Sequence, residues 1–184
     1  MTQPQSLSLD IHLPDEASTL MFGGALYALL RTRLGKSDHA LMVYLEGDLG
    51  AGKTCLSRGL ISLAGYEGVV KSPTFTIVEP YALKDGQQEI TIYHFDLYRL
   101  SDPEELLYMG GRDYFASQAL CLVEWPEKGA GVLPAPDLTV TLQRDGEGRR
   151  ALVTGPVLDE QAHSEFLQLY AQLQQKFHNL PSGA

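Results

Sequence analysis

At 184 residues, 44% hydrophobic and 20% charged, the chain has the size and composition of one globular domain, which excludes wholesale disorder. Mean hydropathy is −0.10 and no apolar run reaches the roughly 18 residues of a membrane-spanning helix. Fourteen Lys and Arg against 23 Asp and Glu give a net charge of −9, a surface that repels a polyanion, so tight direct nucleic-acid binding is not expected.

The opening segment MTQPQSLSLDIHLPDEAS lacks a basic stretch followed by an apolar core, and Cys55 and Cys121 make neither a CxxC pair nor a disulfide framework. A cytoplasmic protein is therefore expected, with no membrane association and one domain over residues 1–184. In chain order, the alternation of Ser6 to Leu13 predicts a short half-buried strand. Pro14, Asp15 and Glu16 start a helix that runs toward Leu34. Leu41 to Leu45 is a wholly apolar run of strand length, as in a central strand covered on both faces. A glycine-rich turn and a helix from Lys53 to Ala64 follow.

Phe75 to Leu83 and Glu89 to Leu97 flank Lys84-Asp85-Gly86-Gln87, which predicts an antiparallel hairpin. Ser101 to Glu105 reads as a helix start with an early proline and early acids. Ala119 to Val123 is a second apolar strand, ending at Glu124, and Pro126 to Pro136 reads as a loop. Leu138 to Leu142 and Arg150 to Val153 flank Asp145-Gly146 as another hairpin. Residues 159–178 form an amphipathic helix with Phe166, Leu169, Tyr170, Leu173 and Phe177 on one stripe, and 179–184 is expected to fray. The fold class is α/β, with a mixed sheet.

Gly47-Asp48-Leu49-Gly50-Ala51-Gly52-Lys53-Thr54 matches G-x4-G-K-[ST] in full, between a strand and a helix. Glycines let the backbone wrap a phosphate so that N–H groups and the helix N-terminus face negative charge. Lys53 is expected to reach the β- and γ-phosphates, and the Thr54 hydroxyl to ligate Mg²⁺. The metal also needs an acid at a strand end. Asp96 and Glu124 compete for that place, one for the metal shell and the other to orient the attacking water, and composition does not rank them. Ser72-Pro73-Thr74 sits where a switch threonine reports on γ-phosphate, although by itself it is only a turn. No [NT]-K-x-D guanine reader occurs, which favours adenine and hence ATP.

The ordered set of the glycine loop, Ser72-Pro73-Thr74-Phe75 with Tyr81, His94-Phe95-Asp96-Leu97-Tyr98-Arg99 and Glu124-Trp125-Pro126-Glu127-Lys128-Gly129 resembles the bacterial TsaE (YjeE) family, from about Asp15 to Arg150. The resemblance implies a P-loop NTPase-like three-layer fold, its mixed central sheet flanked by helices. It implies a weak, partner-stimulated Mg²⁺-dependent ATPase in threonylcarbamoyladenosine modification of tRNA, working on the TsaB–TsaD complex. On residues, it implies roles for Thr74, Asp96 and Glu124 beside Lys53, and places Trp125 next to the nucleotide. Thr19 and Arg149 match nucleotide-contacting positions. Cys55 joins the nucleotide-binding set where the family has a second threonine, although the residue by itself reads as a small packing residue. A small-molecule kinase is a rival reading, but Asp102 to Ser117 has only Arg112 in place of a basic lid. A nucleotide-dependent binding switch with negligible hydrolysis is the other.

Overall fold

The computed structural model describes residues 7–34, 36, 38–86 and 88–178. Its elements in chain order are β1 (Leu9–Leu13), α1 (Glu16–Leu30), β2 (Leu41–Glu46), α2 (Lys53–Leu63), β3 (Val78–Asp85), β4 (Gln88–Asp96), α3 (Glu105–Tyr108), α4 (Gly111–Ala116), β5 (Leu120–Glu124), β6 (Leu138–Asp145), β7 (Gly148–Thr154) and α5 (Glu160–His178). A 3₁₀ turn spans Pro126–Gly129. The strands form one mixed sheet in the order β1-β7-β6-β2-β5-β4-β3. β2 pairs in parallel with β5 and β6, and β5 with β4, while β3, β7 and β1 add antiparallel partners toward the edges.

The two apolar runs became β2 and β5 because both of their faces are covered. Val43 and Leu45, with Leu120 and Leu122, point into the larger core beneath α1, α2 and α5. Met42, Cys121 and Val123 point the other way, to a smaller core with Leu106 of α3 and Phe115 of α4. Helices therefore flank the mixed sheet on both sides, the α/β arrangement expected. Among the described residues no helix is long and apolar enough to cross a membrane.

Asp15 caps α1, its Oδ1 accepting from the Ser18 N–H at 2.7 Å and the Ser18 hydroxyl at 2.6 Å. Gly23 of α1 and Gly59 of α2 let the two helices cross backbone to backbone. A Cβ at Gly23 would collide with the Leu56 carbonyl oxygen, and one at Gly59 with that of Leu20. This crossing fixes where α2 begins, and so where the glycine loop ends. On the far side of α1, the Phe22 ring meets Phe166 edge-on at 5.2 Å and Tyr170 at 6.0 Å. Phe166 and Tyr170 of the α5 stripe thus pack into the core, with Leu169 and Leu173 against it, while the Phe177 side chain lies outside what is described.

Several boundaries differ from expectation. α1 stops at Leu30 and residues 31–34 form turns, with the Leu34 N–H donating to the Leu30 carbonyl at 3.2 Å. Phe75 is outside β3 and exposed. The Ile77 N–H bonds back to the Pro73 carbonyl at 2.7 Å, closing a turn before the strand starts at Val78. The acidic start at Ser101 to Glu105 yields only the single turn of α3. Pro80 lies in β3, an edge strand, opposite Tyr93. Ser6, Gln87 and the tail 179–184 lie outside the described residues.

The helix crossing yields a stability test. Gly59→Ala should lower stability by about 1–3 kcal/mol or more, because backbone atoms cannot yield as side chains do. Gly24→Ala meets only the Leu63 and Leu173 side chains, at 3.3 and 3.5 Å, and should be close to neutral. Urea unfolding midpoints of the two variants decide the matter.

Candidate functional site

The loop from Gly47 to Gly52 leaves the carboxyl end of β2 between its parallel neighbours β5 and β6, the edge where α/β sheets hold ligands. Its conformation demands glycine at two places in particular. Gly47, at φ 134°, lies against the Leu142 backbone. Gly52, at φ 109°, is the N-cap of α2 and has the Arg149 guanidinium 2.7 Å from where a Cβ would stand. Arg149 steadies the loop by donating from Nε to the Ala51 carbonyl at 2.9 Å. Its neighbour Arg150 forms a bidentate pair with Asp10 of β1, at 2.7 and 2.6 Å, so the basic pair is divided between two tasks.

Beside the loop is a cavity of about 440 Å³. Lys53, Thr54, Thr74, Asp96, Glu124 and Trp125 all line it, together with Leu49, Gly50, Gly52 and Cys55. Lys53 Nζ donates to the Gly47 carbonyl and, at 3.0 Å, to that of Asp48, and lies 3.8 Å from the centre of the Trp125 ring. Burial pulls the Lys53 ammonium below its usual range, and Glu124, Glu127, Asp96 and Asp48 oppose that shift.

Asp96 and Glu124 are register partners on β4 and β5, and both are buried. Asp96 Oδ2 accepts from the Ser72 hydroxyl and from Thr74 Oγ1 at 2.9 Å, while Oδ1 accepts the Tyr98 N–H at 3.1 Å. Glu124 Oε2 accepts from Thr54 Oγ1 at 3.1 Å, and Oε1 meets His94 Nε2 at 2.8 Å. Ser72-Pro73-Thr74 is thus tied to Asp96, and the helix after the loop to Glu124. Among the described residues, no group of three His, Cys, Asp or Glu side chains could enclose a metal unaided. One hydroxyl and two carboxyl groups at the mouth of a glycine loop suit a hard cation such as Mg²⁺, which draws its remaining ligands from water and phosphate.

Gly47, Asp48 and Ala51 of the loop, with Thr19 and Arg149, lie apart from the cavity lining. Thr19 is fully buried, its hydroxyl turned to its own helix at the Asp15 carbonyl, 3.1 Å away. Arg149 approaches the loop from the β7 side through Ala51. Cys55 lines the cavity, and burial, aided by Glu16, raises its thiol above the usual range. Trp125 owes its place to an unusual backbone. Its φ of 59° and the 66° of Ile77 are the positive values of non-glycine residues among those described.

Sequence reasoning left out Ser72, His94, Tyr98 and Arg99 as individual contributors. Tyr98 leans on Trp125 with ring centres 5.0 Å apart, and Arg99 lies over Phe75 at 4.4 Å, so the two form an aromatic and cationic rim. The signal was the position of all four in the motifs adjoining strand ends.

Fold and site together define an α/β protein of P-loop-like architecture. The model of the family described as "Threonylcarbamoyl adenosine biosynthesis protein TsaE" matches residues 13–152. A Haemophilus influenzae relative named "tRNA threonylcarbamoyladenosine biosynthesis protein TsaE" is 50% identical over 142 residues, covering 77% of this chain and 86% of its own. A Treponema pallidum relative of the same name is 34% identical over 115 residues, or 62% of this chain and 82% of its own. The crystal structure of Bacillus subtilis YdiB superposes with a TM-score of 0.57 at 26% identity, over 96% of this chain and 99% of that one. The chain belongs to the TsaE family of tRNA threonylcarbamoyladenosine biosynthesis proteins.

Trp125 is the sole tryptophan, so its emission reports this cavity alone. Adding ATP or ADP should change that emission saturably, and Lys53→Ala should shift the emission of the free protein by removing the cation from the ring. A flat titration alongside calorimetric binding would place the nucleotide away from Trp125.

Proposed function

We propose that the chain is a cytoplasmic, Mg²⁺-dependent ATP-binding and weakly ATP-hydrolysing accessory protein of tRNA threonylcarbamoyladenosine modification. In this reading it acts on the TsaB–TsaD complex rather than on tRNA. The observation that carries the proposal is the convergence of Lys53, Thr54, Asp96 and Glu124 on one cavity beside a full-match glycine loop. The loop N–H groups and the start of α2 receive the phosphates, and Lys53 supplies the cation beside them. Thr54, with Asp96 or Glu124, holds Mg²⁺, and the second acid orients the attacking water. When bound, the metal neutralises charge that builds on the phosphates. Thr74 senses the γ-phosphate through the same Asp96 that it already contacts. The acidic surface favours a protein partner over a nucleic acid.

The decisive experiment is retention of the chain on immobilised TsaB–TsaD with and without ATP, together with ATP consumption in both states. Nucleotide-dependent retention and partner-stimulated turnover are expected. Turnover that ignores the partner, transferring phosphate to a small acceptor, would favour a kinase.

Two variants test the chemistry. Lys53→Ala leaves phosphate charge uncompensated and should weaken ATP binding at least tenfold, roughly 1.4 kcal/mol, with the fold intact by circular dichroism. Asp96→Asn and Glu124→Gln should each abolish hydrolysis, with at least one retaining ATP binding, because metal and water positioning act mainly on the transition state. Normal partner-dependent hydrolysis by either variant would remove that residue from the mechanism.

A further inference from the structure

His94 does not line the cavity, yet it bears on how Glu124 faces it. Side chains alternate along a strand, so His94 and Asp96 of β4 share one face of the sheet. The β4–β5 register pairs His94 with Leu122, which makes Glu124 its diagonal neighbour. Nε2 of His94 and Oε1 of Glu124 are 2.8 Å apart, with both side chains out of water at 0% and 3% exposure. The other oxygen, Oε2, meets the Thr54 hydroxyl at 3.1 Å. The carboxyl group is therefore gripped at one oxygen from within the sheet, while the second is turned to the cavity.

The ring itself is costly to bury. His94 Nδ1 has no hydrogen-bond partner among the described residues, and an unpaired polar atom in the interior is destabilising. An apolar side chain would fill the same space without that cost. A proton on Nε2 donates to the carboxyl group, whereas one on Nδ1 would meet no acceptor among the described residues.

We propose that His94 is a positioning residue whose Nε2–H holds Glu124 in the rotamer that presents Oε2 to the cation and phosphate side of the cavity. The proposal rests on the Mg²⁺-nucleotide reading of this cavity and adds to it a role for a residue outside the lining. Carboxyl groups that ligate metals depend in this way on hydrogen bonds behind them.

Calorimetric titration of a non-hydrolysable ATP analogue, with Mg²⁺ and separately with EDTA, tests this in wild type, His94→Leu, His94→Gln, Glu124→Gln and the His94→Leu/Glu124→Gln double variant. In EDTA the wild type, His94→Leu and His94→Gln should agree within about twofold. The gain in affinity on adding Mg²⁺ should fall about tenfold in His94→Leu and return in His94→Gln, whose amide reaches the same oxygen. The double variant should lose no more than Glu124→Gln alone. If His94→Leu fails to fold, His94→Asn replaces it, since its amide is too short to reach Glu124. An undiminished Mg²⁺ gain in the donor-less variant overturns the proposal, as do additive losses, failure of Gln to rescue, or an equal loss in EDTA. A wild type indifferent to Mg²⁺ overturns the metal reading and this proposal together, whereas a responsive wild type beside an equally responsive variant overturns this one alone.

Discussion

Two acidic side chains stand next to each other at the carboxyl end of the sheet because β4 runs parallel to β5 in the register that pairs Asp96 with Glu124. Bringing such groups together away from water is unfavourable unless each is supplied with donors and a cation lies near. The surrounding structure meets both conditions. Ser72, Thr74 and the Tyr98 N–H serve Asp96, Thr54 and His94 serve Glu124, and Lys53 stands by both. Remote features follow from the same constraint. Thr54 reaches Glu124 because α2 begins where its glycine crossing with α1 allows, and Trp125 covers Lys53 because the chain turns left-handed directly after Glu124.

The elements legible in the sequence were those with local signals. A run of apolar residues marks a strand covered on both faces, so β2 and β5 could be read directly, and Asp-Gly pairs marked both hairpins. The glycine loop was legible because its backbone demands are written into residue types. Phe75 was misplaced for the opposite reason. Its segment has strand composition, but Ile77 takes a left-handed conformation held by bonds to Pro73 and to the Asp96 N–H, partners that no local pattern reveals. The different partners of Asp96 and Glu124 were illegible because they depend on which hydroxyl each one meets across the fold. The contact of His94 required knowledge of both pleat and register.

Arg149 and Arg150 show how adjacent residues of one strand diverge. Although neighbours in the chain, they do not act together, since alternation sends Arg149 to the glycine loop and Arg150 to Asp10 on the neighbouring strand. One arginine instead links the β6–β7 hairpin to the loop, while the other ties β1 to the sheet.

The proline in β3 has a consequence for how this protein can associate. Proline brings no N–H to a strand, so β3 keeps its ladder to β4 only if position 80 faces outward, where the missing donor interrupts the free edge. Exposed Glu79 and Lys84 add charge along the same strand. An incoming strand would find the row of backbone donors and acceptors broken on this side, which disfavours sheet-to-sheet growth into fibrils or strand-swapped dimers here. Complexes through this side of the molecule are favoured to rest on side chains, whose identity a partner can distinguish, rather than on backbone that any extended chain could match.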